Sequence, residues 1–370
     1  MRRFLLALTL LAAIAVRLPH LGASRPIGED EAKTLHRAGL SGRALVADLE
    51  TSTHPPLYFL LVGAWAGVAG PDIRPVRIVS LGWGIATLGL VVRIAYGWAG
   101  VGAALGAAFV LAVSPIHIFY SQEARSYTMA GCLALASTML LVRWLLHGGW
   151  PSWVGYVLAS TAAVYTHYWA FFLLPPQGMI VAVAAPPRGR TIAWAAALAL
   201  VGILFLPWVP TLLAQLDGGG GDWMPPAPAA AVPKTLYRFA AGYVVDRFSP
   251  GYRYFAIAPL LVIYLPLLAL GGAPVAGESR EGRIWRLALV CHLFVPLLVA
   301  FVVSVAWRPM YLPGRFDMTL YPAFPLLAGR GMSRLPVPLA VATAVASVIS
   351  TSAYLALYWL VAPTIIPAPH

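Results

Sequence analysis

Charge is scarce in this chain. Only 10% of its 370 residues are Asp, Glu, Lys or Arg, while 60% are hydrophobic. A soluble domain carries about 25% charged residues, so this sequence lacks the polar surface that a water-facing fold of its length requires. Cysteine is nearly absent: Cys132 and Cys291 both lie inside apolar runs, which excludes a disulfide framework or a cysteine-based metal cluster. The period-two alternation of a membrane barrel is missing. No internal repeat is evident. The formal net charge of +12 is not accompanied by any zinc-finger or basic-helix pattern, so nucleic acid is not an expected partner.

What the sequence has instead is apolar runs of roughly 20 residues, the length that spans a bilayer, from end to end. Lipid offers a backbone no hydrogen-bond partners, so such runs must be helical. The expected fold is all-α, a polytopic transmembrane helical bundle of about 11 spans with outer juxtamembrane helices. The candidate spans are residues 3–21, 75–93, 101–119, 124–146, 151–166, 168–186, 191–213, 253–272, 284–306, 317–331 and 336–361. Segment 317–331 holds Pro322 and Pro325 and reads as a broken or tilted helix. The first span follows Met1-Arg2-Arg3 and is read as uncleaved, since Leu21-Gly22-Ala23 is a poor cleavage site.

Residues 55–69 are apolar but short. If they do not cross, the short loops of one parity all carry arginine: Arg93; Arg143; Arg188 and Arg190; Arg280, Arg283 and Arg286; Arg330 and Arg334. Arg2 and Arg3 fall on the same side. The positive-inside rule therefore favours a non-crossing helix, started by Pro55-Pro56. On this reading, all the acids except Glu278 and Glu281 lie at or near the outer face. The long outer segments are 22–74 and 214–252. The second contains Gly218 to Gly221, Pro225-Pro226 and Pro228, which marks an extended loop. Trp223, Tyr237 and Tyr243 there are candidate interfacial anchors.

Three clusters carry chemistry. Gly28-Glu29-Asp30-Glu31-Ala32 opens a short helix, where the macrodipole favours ionised carboxylates. A solvated helix cap would show the same residues. Thr53-His54-Pro55-Pro56-Leu57-Tyr58 places a histidine at a helix start, a position that attracts phosphate. Ser114-Pro115 through Tyr120-Ser121-Gln122-Glu123-Ala124-Arg125-Ser126-Tyr127 sets an acid and an arginine at the junction of two spans, where ionisable groups are functional candidates and a structural ion pair is the alternative. Tyr165-Thr166-His167-Tyr168 forms an outer turn, and Arg308, Arg315 and Asp317 flank a later span end; the arginines there could equally anchor to lipid headgroups.

In this order the clusters resemble membrane glycosyltransferases of the family 39 type, which have the GT-C fold and include the protein O-mannosyltransferases and the bacterial enzyme that adds aminoarabinose to lipid A. The resemblance rests on Asp30-Glu31-Ala32, His54-Pro55-Pro56-Leu57-Tyr58, Arg77 followed by Ser80, Ser114-Pro115 through Arg125, Tyr165 to Tyr168, and Arg315, and it covers nearly the whole chain. Phe316 departs from it, since a tyrosine follows the arginine in many bacterial members. Many members also carry a further soluble part, where acceptor recognition often lies. The resemblance implies a polyprenyl-phosphate sugar donor, inverting transfer to an acceptor hydroxyl, and a hexosyl- or mannosyltransferase-like activity on the non-cytoplasmic face of a bacterial-type plasma membrane. It implies Asp30 as the base, with Glu31 and Glu123 as the further catalytic acids. Arg125, Arg315 and His54 are expected at the donor phosphate, and His167, Tyr120 and Tyr58 at the substrate. A monophosphate leaving group needs little neutralisation, so no metal or other cofactor is required, although Glu31 and Glu123 offer oxygen ligands to a divalent cation. A transporter or flippase of a lipid-linked glycan is the alternative, as is a glycan ligase with a diphosphate-linked donor. Adjacent helix positions diverge by about 100°, so the sequence leaves open which of Asp30 and Glu31 faces the donor.

Overall fold

The computed structural model describes residues 1–22, 25–40, 42–219, 223–242 and 257–365. Ala23, Gly220, Gly221, Tyr243 and the first residues of the expected span 253–272 lie outside them. Among the described residues there is no strand. The helices are α1 (Arg2–Ala15), α2 (Glu29–Ala38), α3 (Gly42–Glu50), α4 (Leu57–Ala69), α5 (Ile73–Ala112), α6 (Pro115–Gln122), α7 (Tyr127–His147), α8 (Trp150–Thr166), α9 (Leu174–Ala184), α10 (Arg188–Phe205), α11 (Val209–Asp217), α12 (Ala231–Ala241), α13 (Leu265–Gly272), α14 (Arg280–Ala306), α15 (Ala323–Ser333) and α16 (Val337–Ile365). Among the described residues, five helical stretches are long and apolar enough to cross a membrane, within Ile73–Ala112, Tyr127–His147, Arg188–Asp217, Arg280–Ala306 and Val337–Tyr354. The protein is an integral membrane protein, all-α in architecture.

The first expected span, 3–21, is helical only as α1, which ends at Ala15, and further expected boundaries move for local reasons. Spans 75–93 and 101–119 are parts of one long element, α5, broken at Gly100, whose φ of 81° suits a residue without Cβ. The second part ends at Ala112, because Ser114 caps a new helix with Pro115 in its first turn. The expected span 317–331 is a 3₁₀ turn at Phe316–Thr319 followed by α15, with Pro322 as N-cap; nearly every residue of α15 is buried. At about 1.5 Å per residue, α4 is only about 20 Å long.

α15 runs through the middle of the bundle, against α5 on one side and α13 on the other. Lipid supplies no hydrophobic drive between helices, so backbones must approach closely to gain dispersion energy. Here they do: a Cβ at Gly106 would lie 2.8 Å from the Gly329 carbonyl oxygen, and a Cβ at Gly329 would collide with the backbone of Ala107. Gly329→Ala is therefore expected to destabilise the protein by about 1–3 kcal/mol, the usual cost of overpacking. The check is the thermal midpoint in detergent, with Gly89→Ala as control, since a Cβ at Gly89 meets nothing within 4 Å.

At the end of the bundle where α1 and α5 finish, a buried guanidinium joins them. Arg17 donates to Ala13 O at 2.6 Å and Leu111 O at 2.7 Å, satisfying carbonyls in the last turns of both helices. It also donates to His117 Nδ1 at 3.0 Å. At the opposite end, Glu278 accepts from Arg286 at 2.9 Å and Arg330 at 2.8 Å, and Arg330 also lies over the Trp98 ring.

Candidate active site

α2 builds the site. Its first turn carries Glu29, Asp30 and Glu31, and its last turn His36 and Arg37, both matching the helix macrodipole. The buried side is Glu31, Thr34, Arg37 and Ala38, at helical spacing. Arg37 fixes the helix by donating to Asp48 on α3 at 2.6 Å and by lying over the Phe59 ring of α4.

The structure separates the two neighbouring acids. The Glu31 side chain is 1% exposed and points inward. Arg77 grips it with two bonds, of 2.8 Å to Oε1 and 2.6 Å to Oε2; Arg25 adds a third at 2.8 Å and the Ala124 N–H a fourth at 2.9 Å. Arg77 also donates to the carbonyls of His20, Gly22 and Pro26, which lie between α1 and α2 and are gathered around it. Burial would raise the Glu31 carboxyl, but these guanidinium contacts outweigh it and lower it. Asp30, 26% exposed, faces the open side instead. Burial would raise it too, yet Arg125, Arg315, Lys33 and Arg37 prevail and hold it below the ordinary carboxylate range, so it is ionised at neutral pH.

Two guanidiniums converge on Asp30. Arg315 donates to Oδ2, and Arg125 stands 4.0 Å from Oδ1. Arg125 leaves α6 in an extended connection, with its carbonyl held by the Ser80 hydroxyl at 3.0 Å; Ser80 in turn meets the Tyr58 hydroxyl at 2.8 Å. Arg315 Nε donates to the Tyr127 hydroxyl at 2.8 Å, and its guanidinium lies over the Trp223 ring. Both arginines are nearly buried, whereas Asp30 retains an open side. Two preorganised cations beside one ionised acid can bind a phosphate and accept a proton within one small space.

His54 joins this group differently from the expectation. Arg125 donates to its Nε2 at 2.6 Å, which leaves Nδ1–H to bond Ser52 Oγ at 3.1 Å. Burial, then Arg125, His167, Arg37 and Arg315, keep the ring well below its ordinary pKa. A neutral His54 therefore orients Arg125. His167 packs between Tyr127 and Phe316 with Nδ1 accepting from the Trp169 N–H; burial first, then Arg125 and Arg315, lower it to about 3. The Tyr58 and Tyr120 hydroxyls, expected at the substrate, are turned inward: Tyr58 to Ser80, and Tyr120 to the Gly314 carbonyl at 3.1 Å. Arg308 donates to Leu216 O at 2.9 Å.

Glu123 sits behind the site, paired with Arg25 at 2.9 Å. Burial pushes its carboxyl up to about 7; Glu31 and Asp30 add to this, and Arg25 and Arg77 oppose it. A raised folded-state value means that the native protein holds a proton the unfolded chain has lost. This contribution to stability is present below about pH 4.5 and fades as pH rises toward 7. Thermal midpoints measured from pH 4.5 to 7 should show this decline, and Glu123→Gln should flatten it.

The pair Glu31 and Glu123 does not fit a divalent cation. Their oxygens meet Arg25 and Arg77, and those guanidiniums would repel one. Among the described residues, no group of three or more His, Cys, Asp or Glu side chains is arranged to hold a metal ion.

Sequence reasoning missed three partners. Arg25, Thr235 and Gln215 carry no motif of their own. Gln215 on α11 donates to Leu49 O at 2.7 Å and His54 O at 3.3 Å, while the Tyr168 hydroxyl donates to its side-chain oxygen at 2.7 Å. α11 is thereby tied to α3 and to the turn before α4.

No protein-family model and no curated protein sequence matches the chain. Solved structures do. ArnT from Cupriavidus metallidurans bound to undecaprenyl phosphate superposes with a TM-score of 0.64 at 17% identity, over 97% of this chain and 65% of that one. The fold is GT-C. The apo state of the same ArnT gives 0.60 at 16% identity, again over 97% and 65%. The oligosaccharyltransferase AglB from Archaeoglobus fulgidus, in complex with an inhibitory peptide and a dolichol-phosphate, gives 0.53 at 13%, over 100% of this chain and 56% of that one. This GT-C chain therefore spans just under two thirds of the ArnT length and just over half of AglB.

Proposed function

We propose that this GT-C protein is a glycosyltransferase that moves a sugar from a polyprenyl-phosphate donor to an acceptor hydroxyl at the outer membrane face, with inversion. The observation that carries the reading is the placement of ionised Asp30 against Arg125 and Arg315 at helix ends. The similar structures add that ArnT binds undecaprenyl phosphate and AglB a dolichol-phosphate, both lipid monophosphates.

In this mechanism the donor phosphate takes the place of the Asp30 carboxylate on Arg315. The contact between base and cation must open, because in an inverting displacement the anomeric carbon stands between the attacking and leaving oxygens. The acceptor oxygen attacks that carbon and Asp30 takes its proton. The carbon–oxygen bond to phosphate breaks, and its electron pair stays on the lipid phosphate, where Arg125 and Arg315 meet the growing charge. Arg alone suffices for a monophosphate.

The outer-face assignment has a geometric support. α7 runs from Tyr127, beside Arg315, to His147, 3.8 Å from Glu281 in the arginine-rich loop. Its 21 residues cover about 30 Å, the thickness of the hydrocarbon core. The arginine-rich end is then cytoplasmic. The placing of Asp30, Arg125 and Arg315 at helix ends, away from the midplane, favours a transferase over a transporter.

The test is release of free polyprenyl phosphate by protein in nanodiscs, offered a panel of polyprenyl-phosphate sugars with membrane extract as acceptor source. Release supports the transferase. Donor binding without turnover for any sugar would shift the reading to a transporter, and absence of donor binding would remove the substrate class.

A further inference from the structure

The turn that carries Arg315 is held by a carboxyl with no place in the mechanism above. Asp317 is fully buried. It accepts from the Gly314 N–H at 2.8 Å and from the Thr235 hydroxyl of α12. Since the Thr235 proton goes to Asp317, the Tyr311 hydroxyl, 2.8 Å away, donates to Thr235. Tyr311 and Asp317, on both sides of Arg315, thus meet at one hydroxyl of the second outer segment, and Gly314 joins them through Asp317 Oδ2. The same turn is fixed twice more. Arg238 of α12 donates to the Pro313 carbonyl, and Tyr120 of α6 donates to the Gly314 carbonyl. Gly314 has φ of +72°, and a Cβ there would lie 2.6 Å from the Arg238 side chain.

A buried carboxyl is costly unless its bonds return something. We propose that Asp317 is a positioning residue for Arg315: it locks the 311–317 turn to α12 and so sets where the guanidinium stands against Asp30 and the donor phosphate. The donor half of this statement rests on the proposed function; the positional half does not. Only Oδ2 carries the clamp, since Oδ1 is buried without a hydrogen-bond partner. An amide oxygen can therefore replace it. The second outer segment acquires a task by this route. α12 sets the cation without touching the reacting atoms.

The experiment reads Arg315 position without any donor. Carbodiimide and an amine label exposed carboxylates, and Arg315 shields Asp30. In the intact chain in nanodiscs, Asp317→Ala should speed Asp30 labelling several-fold by peptide mass spectrometry, and Arg315→Ala should do the same. Asp317→Asn should restore the wild-type rate. Glu278, at the far end of the bundle, serves as control. Undecaprenyl phosphate affinity should fall about tenfold in Asp317→Ala, and by less than about twofold more when Asp317→Ala is added to Arg315→Ala, as expected of two residues acting through one contact. If Asp317→Ala does not fold, Thr235→Val removes the clamp hydroxyl at nearly constant shape and should reproduce the labelling. Unchanged Asp30 labelling overturns the proposal. So does faster labelling of Glu278 alongside Asp30, or a full additive loss of affinity in the double variant. Faster Asp30 labelling in a protein whose wild type binds no undecaprenyl phosphate leaves the clamp standing and overturns the donor assignment instead.

Discussion

Asp30→Asn is expected to lower release of free polyprenyl phosphate by about 10²–10⁴-fold, the range for a lost general base, while the donor stays bound. The isosteric amide keeps the shape of the site but cannot take a proton. Donor affinity should hold or rise, because the phosphate no longer competes with a carboxylate for Arg315. That combination, lower kcat with an unchanged or lower KM, distinguishes a lost base from a collapsed site. The low-lying Asp30 carboxyl adds a pH expectation. Arg125, Arg315, Lys33 and Arg37 overcome the burial that would raise it, so the base remains ionised through the neutral and mildly acidic range. Turnover should therefore not lose its base until well into acid. Wild-type release from Asp30→Asn would mean that another group takes the proton. A variant that neither binds nor turns over donor would make Asp30 a structural counter-ion for the two arginines.

Much of this arrangement was legible in the sequence because membrane physics is restrictive. Apolar runs in lipid can only be helices, and the chain's few ionisable groups stand out against them. Asp30, His54, Arg125 and Arg315 could be singled out at helix ends for that reason. What pairs with what could not. Arg315 and Asp30 lie 285 residues apart in the chain, and no local pattern announces their contact. His54 illustrates a subtler gap. A histidine at a helix start suggests a phosphate donor, but its tautomer is set by Arg125 and Ser52 and makes it an acceptor on the side that matters. Two of the span boundaries that moved did so at Gly100 and at Ser114-Pro115, where backbone conformation rather than hydropathy decides. The neighbours Asp30 and Glu31 pose the same difficulty most sharply. They have the same chemistry and adjacent positions, and only the packing of α2 turns one to the opening and the other into a nest of guanidiniums.

That division yields the second large effect. Glu31→Ala is expected to cost stability more than it costs any single catalytic step, because it leaves Arg77 a buried cation without its carboxylate and takes one of two carboxylates from Arg25. Removing one partner of a buried, hydrogen-bonded pair typically costs about 3–5 kcal/mol, and Glu31 is 1% exposed with contacts to two arginines. Glu31→Gln should cost less, since the amide keeps one acceptor for Arg77. Replacing Glu31 and Arg77 together by apolar residues should not recover the loss, although it often does for simple pairs. Arg77 also satisfies the carbonyls of His20, Gly22 and Pro26, and these would be left bare in the interior. The measurement sets thermal midpoint and donor turnover side by side for Asp30→Asn and Glu31→Gln. Asp30→Asn should keep the midpoint and lose turnover. Glu31→Gln should lower the midpoint, with turnover falling in step with the folded fraction. The reverse result, a stable Glu31→Gln that binds donor and does not turn over, would make Glu31 the proton acceptor. Asp30 would then be the anchor that holds Arg315 between substrates.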